Sequence, residues 1–125
     1  TARMKELVTA LGWPGRTLGG EDGAHAAWLL VQHADHDLAF QRHCLALMEP
    51  LITTGEVRAA HCAYLHDRVA VGEQRPQRFG TQFGPDREPR PIEDAQHVDA
   101  RRAAVGLCSM DDYREAMRKL YRPPT

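Results

Sequence analysis

A chain of 125 residues, 42% hydrophobic and 26% charged, has the make-up of a globular domain able to bury one core without staples. Sixteen Lys and Arg against 17 Asp and Glu leave a formal net charge of -1, which argues against nucleic acid or an anionic membrane surface as partner. No apolar run approaches the roughly 20 residues of a membrane-spanning helix, and the amphipathic start TARMKELVTALG has no signal-like core. Cys44, Cys62 and Cys108 are odd in number and form no CxxC pair, so no disulfide framework is expected. These features together predict a reduced, cytoplasmic monomer or small homo-oligomer.

Met4, Leu7, Val8 and Leu11 fall at helical spacing, and the pattern stops at Gly12. Gly12 to Gly23 reads as loop. Asp22 is a good N-cap residue type, and a helix is expected from there to about Asp35. The next helix should span Asp37 to Thr53, with Leu38, Gln41, Cys44, Leu45, Met48, Leu51 and Ile52 on one arc. Pro50 should kink or restart it, and Gly55 should end it. A further helix is expected from Arg58 to Val71. The prolines and glycines that follow forbid a long helix. There, Gln77 to Phe83 reads as a short strand, turned at Gly84-Pro85-Asp86 and paired with Arg90 to Ile92. Pro89 and Pro91 would confine the return strand to an edge. Asp99 should cap a short helix ending at Gly106. Ser109 with Asp112 reads as a capping box opening a last helix that carries Tyr113, Ala116, Met117 and Leu120. The expected architecture is mainly α: one domain over residues 1–125, a bundle of about five to six helices with a small β-hairpin near residues 77–92.

Three clusters could carry chemistry. The segment AAWLLV (residues 26–31) is apolar all round, the pattern of a buried helix, yet His25, Gln32 and His36 recur at spacings of seven and four along one flank. Buried polar groups cost about 1–3 kcal/mol when unpaired, so such a ridge needs partners or a ligand. In QHADHD, His33 lies one turn from both His36 and Asp37, a spacing that suits a divalent metal. In the helix carrying AYLHDRV, Tyr64, Asp67, Arg68 and Val71 share a face able to hold an anion and move a proton, while Cys62, Leu65 and Val69 share the opposite one, and His61 and His66 are expected to face solvent. The competing view is an ordinary exposed ion pair worth at most about 1 kcal/mol. In QRFGTQF, Gln77, Thr81 and Gln82 offer neutral donors and acceptors, and Gly80 in mid-strand marks a bulge or a close approach. No phosphate-cradling loop or GxSxG elbow occurs, and the single serine, Ser109, is taken up as a cap.

The succession Gly-Trp-Pro, HAAWLLVQHADHD, FQRHCLALM, AYLHDRV, PQRFGTQF and PIED…VDARRAAVGL, covering Trp13 to about Tyr113, resembles a bacterial family, domain of unknown function 6624. The resemblance implies motif positions at His25, Trp28, Gln32, His33, Asp35, Asp67, Arg68, Gln77, Gly80, Thr81 and Gln82. It leaves His36, His43, His61, His66 and His97 outside them, puts Phe79 where a tyrosine is expected, and supplies no mechanism. The preferred reading is an enzyme without organic cofactor, working by acid–base chemistry on a small polar or anionic molecule. His25 or His33 would transfer the proton, and Asp35 or Asp67 would orient the imidazole or act as partner base. Trp28, Gln32, Tyr64, Arg68, Gln77, Thr81 and Gln82 would hold the substrate. Hydrolysis, elimination and cyclisation fit equally. One alternative is a metal-dependent hydrolase using His33, Asp37 and Asp67 with His25 or His36. It draws on the likeness of His36-Asp37, with His25 before and Asp67 after, to metal-dependent His-Asp phosphohydrolases. Another is a non-catalytic module that binds a ligand or partner.

Overall fold

The computed structural model describes residue 13 and residues 15–120; the helix expected over Met4 to Leu11 lies outside them. Among the described residues there are five α-helices and no strand: α1 (Arg16–Gln32), α2 (Leu38–Met48), α3 (Ala59–Gly72), α4 (Val98–Ala104) and α5 (Met110–Leu120). None is long and apolar enough to cross a membrane.

Helix α1 departs from expectation at both ends. Its helical run begins at Arg16, not Asp22, and is broken at Gly20, whose φ of 69° only glycine adopts cheaply. It ends at Gln32, with His33 as C-cap, so Asp35 and His36 lie beyond it and the expected His25–Gln32–His36 ridge does not form along one helix. Nor is α1 buried all round. Val31 and Ala27 enter the core, but Leu30 remains 51% exposed. Helix α2 starts as its sequence signals, the Asp37 carboxylate accepting from Phe40 N at 3.1 Å. Pro50 restarts the chain as a 3-10 turn over Glu49–Leu51, and Gly55 follows with φ of 77°.

Helix α2 packs most closely on α3, with α1 against both. Cys44, Leu45 and Met48 of α2 meet Cys62, Leu65 and Val69 of α3, and Trp13, Val31, Phe40 and Val57 complete the core. Each face is the one its apolar spacing marks. All three cysteines are free.

The hairpin over residues 77–92 is not formed. Two isolated bridges stand in its place, a parallel one between Gln77 and Ile92 and an antiparallel one between Phe83 and Pro89. Pro89 and Pro91 cannot donate to a ladder, and Gly80 leaves the extended region with φ of 66°. The segment's N–H groups turn instead to a buried carboxylate on α3, described below. The expected turn does occur, closed by Arg87 N to Gly84 O at 3.0 Å. Gly80 also makes the close approach its place in the motif announces: a Cβ there would sit 2.5 Å from Met110 Sδ.

Asp99 does not cap its own helix. Its carboxylate accepts from Met110 N at 2.8 Å, and so caps α5. Ser109 shares that task through Asp112 N at 3.2 Å.

Candidate functional site

Helix α1, helix α3 and the loop after Gly80 enclose a cleft of about 680 Å³. From α1 come Trp28, Leu29 and Gln32, followed by His33 at its C-cap; from α3 come Tyr64 and Arg68, one turn apart. The loop adds Thr81, Gln82, Phe83, Gly84, Pro85 and Arg87, and Met117 of α5 closes a side. Seven side chains singled out from the sequence therefore share one cavity: Trp28, Gln32, His33, Tyr64, Arg68, Thr81 and Gln82.

Gln32 ties the two main walls together, its Nε2 donating to Tyr64 O at 3.3 Å. The fully buried Gln41 steadies the end of α1 from below, its Nε2 reaching Val31 O at 3.1 Å and Asp35 Oδ1 at 3.3 Å. At the cleft rim Arg68 and Asp35 form a forked pair, Nε to Oδ1 at 2.8 Å and Nη2 to Oδ2 at 2.6 Å, while Nη1 reaches Gln82 Oε1 at 3.4 Å. The Arg68 hydrogen bonds hold the Asp35 carboxyl below its usual range against an opposing effect of burial, and the same bonds raise Arg68. Because the Asp35 side chain is 56% exposed, water screens the pair, whose stabilisation is at most about 1 kcal/mol. Asp35 is thus the counter-ion of Arg68, and the charge of nearby His33 also bears on it.

Asp67 stands behind the cleft rather than in it. Its side chain is fully buried, and each oxygen accepts twice: Oδ1 from Arg78 N (2.9 Å) and Phe79 N (3.1 Å), Oδ2 from Thr81 N (3.1 Å) and Thr81 Oγ1 (2.9 Å). A carboxylate so engaged anchors the loop. Gln77, also fully buried, braces the same loop by donating to Gln82 O (2.9 Å) and Arg90 O (3.0 Å) and accepting from Gln82 N (2.9 Å). These two residues shape the cavity wall without lining it.

His25 is not among the lining side chains. It sits at 5.4 Å from the Trp28 ring and 5.3 Å from that of His61, while His61 lies flat on Trp28 at 4.2 Å and 2° between planes. Contrary to the solvent-facing position expected for it, His61 is half-buried, as is His66. Burial, then the charges of His25 and Arg58, push His61 down to about 4. A histidine lowered in this way is neutral when folded but protonates near 6.5 when unfolded. The native state then binds fewer protons between those values, so stability should fall as pH drops from about 6.5 and level off once His61 itself titrates near 4. Proton NMR of the imidazole ring checks this: a His61 midpoint near 6.5 would refute it.

Sequence reasoning missed two groups. Arg87 enters from a left-handed position after the turn, φ 66°, for which its residue type gives no signal. Arg102, in a run resembling a solvated helix face, is 1% exposed, donates to Phe79 O at 2.6 Å and lies 4.7 Å over the Tyr113 ring. Tyr113 in turn donates to Thr81 O at 3.2 Å. Burial, aided by a hydrogen bond with Tyr64, raises its phenol beyond the ordinary range, so it stays protonated.

The ligand set expected for a divalent ion is not brought together. Asp37 caps α2, both Asp67 oxygens are spent on the loop, and no group of three His, Cys, Asp or Glu side chains among the described residues is placed to hold a metal. Cys44 and Cys62 are core thiols that burial pushes up to about 12, too high for nucleophiles at neutral pH.

A helical scaffold with an open polar cleft over a buried carboxylate anchor is the class of protein that this fold and site define. The chain belongs to the family of unknown function DUF6624, whose model matches residues 1–122. No curated protein and no solved structure matches it.

Proposed function

We propose that the cleft binds a small anionic molecule and that the protein is an enzyme, working without organic cofactor, with His33 as the group that gives or takes a proton. One observation carries this reading. Among the described residues the cleft is lined by Arg68 and Arg87 and by no Asp or Glu, and of these two cations only Arg68 is paired with a carboxylate, Asp35 at the rim, in a chain whose acids and bases nearly balance overall. Such a local excess of positive charge in a concave site favours an anion. Arg68 and Arg87 hold the carboxylate or phosphate, and Gln32, Tyr64, Thr81 and Gln82 fix neutral polar groups. Imidazole suits proton transfer near neutrality. Asp35 keeps Arg68 in place; Asp67 and Gln77 act as positioning residues.

The test has two stages. Small carboxylates and phosphates titrated into the folded protein should shift NMR signals of His33, Arg68 and Thr81, and Arg87→Ala should weaken that binding several-fold. With a substrate in hand, His33→Ala should lower kcat by about 10²–10⁴ with little change in KM. Unchanged turnover in that variant removes His33 from the role.

One observation favours a non-catalytic binding module as second reading: among the described residues, no carboxylate is hydrogen-bonded to His33, because Asp35 is committed to Arg68. Tight anion binding that His33→Ala leaves intact, with no turnover of any bound species, would decide for the module.

A further inference from the structure

Thr81, Gln82 and Arg68 line the cleft as links of one hydrogen-bond chain whose direction is fixed from behind. A carboxylate can only accept, so the Thr81 hydroxyl gives its proton to Asp67 Oδ2 at 2.9 Å. The hydroxyl oxygen in turn accepts from Gln82 Nε2 at 3.0 Å, which turns the Gln82 amide so that its Oε1 accepts from Arg68 Nη1 at 3.4 Å. The chain thus runs from an acceptor-only group in the interior to a donor-only group in the cavity, and each side-chain acceptor along it already has a donor. The loop carbonyls are engaged too: Thr81 O accepts from Tyr113, Gln82 O from Gln77 and Arg90, and Gly84 O from Arg87 N. Asp35, at the rim, has Arg68 on both oxygens and Gln41 on one of them. What the cleft keeps open is donors: the remaining N–H groups of Arg68, whose side chain is 28% exposed, and the guanidinium of the exposed Arg87. His33 and Tyr64 add groups that can accept a hydrogen bond but carry no negative charge.

We infer that the ligand of this cleft is a small organic acid without an ammonium group, whose polar atoms beyond the anion are acceptors such as a ketone oxygen or a second carboxylate. This rests on the reading of the cleft as an anion site and adds what that site refuses. An amino acid would bring a positive charge and N–H donors into a cavity that, among the described residues, is lined by two guanidinium groups and no carboxylate. The ammonium would give up water without gaining a counter-ion, so the site selects against it through an unpaired charge. The corresponding 2-oxo acid presents an oxygen in its place, which a spare guanidinium N–H can meet. An aliphatic tail packs against Phe83, Pro85 and Met117.

The experiment uses the unmodified protein and two probes of nearly equal shape, 4-methyl-2-oxopentanoate and L-leucine, with inorganic phosphate as a third. Calorimetric titration near neutral pH and at low salt should show the oxo acid binding about tenfold tighter than leucine or better. Arg87→Glu, a change at an exposed side chain, places a carboxylate at the cleft and should shrink that preference several-fold. A preference unchanged in this variant lies outside the cleft and overturns the inference. Equal affinity for oxo acid and leucine, with both weakened by Arg87→Ala, overturns it and leaves the anion site standing, as does saturable binding of phosphate but of neither organic acid. Absence of saturable binding by all three probes overturns both.

Discussion

Replacing Asp67 by alanine should lower the melting temperature by roughly 10–20 °C. The substitution leaves three backbone N–H groups and the Thr81 hydroxyl without their acceptor, in a place where the carboxylate was fully buried. Removing one partner from a buried charged network costs about 3–5 kcal/mol, and for a domain of this size each kcal/mol moves the midpoint by roughly 3–5 °C. Asp67→Asn keeps the volume but turns one acceptor into a donor facing other donors, so about half the loss should remain. Hydrogen exchange locates the effect: the amides of Arg78, Phe79 and Thr81 should lose protection first. A stability change under about 1 kcal/mol, or unaltered exchange at Thr81, would show that the loop does not depend on this carboxylate.

Arg102→Met should cost about 2–4 kcal/mol in denaturant unfolding, by a different route. The guanidinium links three pieces of chain: Phe79 O in the loop, Cys108 O before α5, and the face of the Tyr113 ring on α5. Methionine fills much of the volume and satisfies none of the carbonyls. Lysine is the sharper probe. A point charge on a flexible stem cannot serve two divergent carbonyls and stack on a ring, so Arg102→Lys should recover less than half of the lost stability. If the lysine variant equals the native protein, the planar fork is not what matters at this position.

The helices were legible wherever a single apolar face met a single neighbour. The arcs of α2 and α3 were marked by spacing alone, and the cap at Ser109 by residue type. The sequence misled where local signals competed with tertiary partners. QRFGTQF alternates as a strand does, but its N–H groups found a stronger acceptor in Asp67 than any proline-rich return strand could offer. AAWLLV promised a buried helix, yet α1 lies at the edge and leaves Leu30 in water. Among the site candidates, Arg68, Tyr64 and Trp28 reach the cleft because they occupy the right turns of two packed helices. His25 does not line it, since its partners are the rings of Trp28 and His61. Periodicity places a residue on a face; it says nothing of which neighbour that face will meet. Arg102 had no signal at all, because burial of a cation against carbonyls depends on chain segments 23 and six residues away.

Asp67 and Arg68 are adjacent in sequence, and one grips the loop while the other supplies charge to the cavity. Roof and cation are therefore carried on the same rigid turn and travel together. The width of the opening is set by the distance from that combined piece to α1, across the Gln32 and Asp35 ties. A graft of this binding surface onto another scaffold would have to transplant the turn and its tethered loop as a single part.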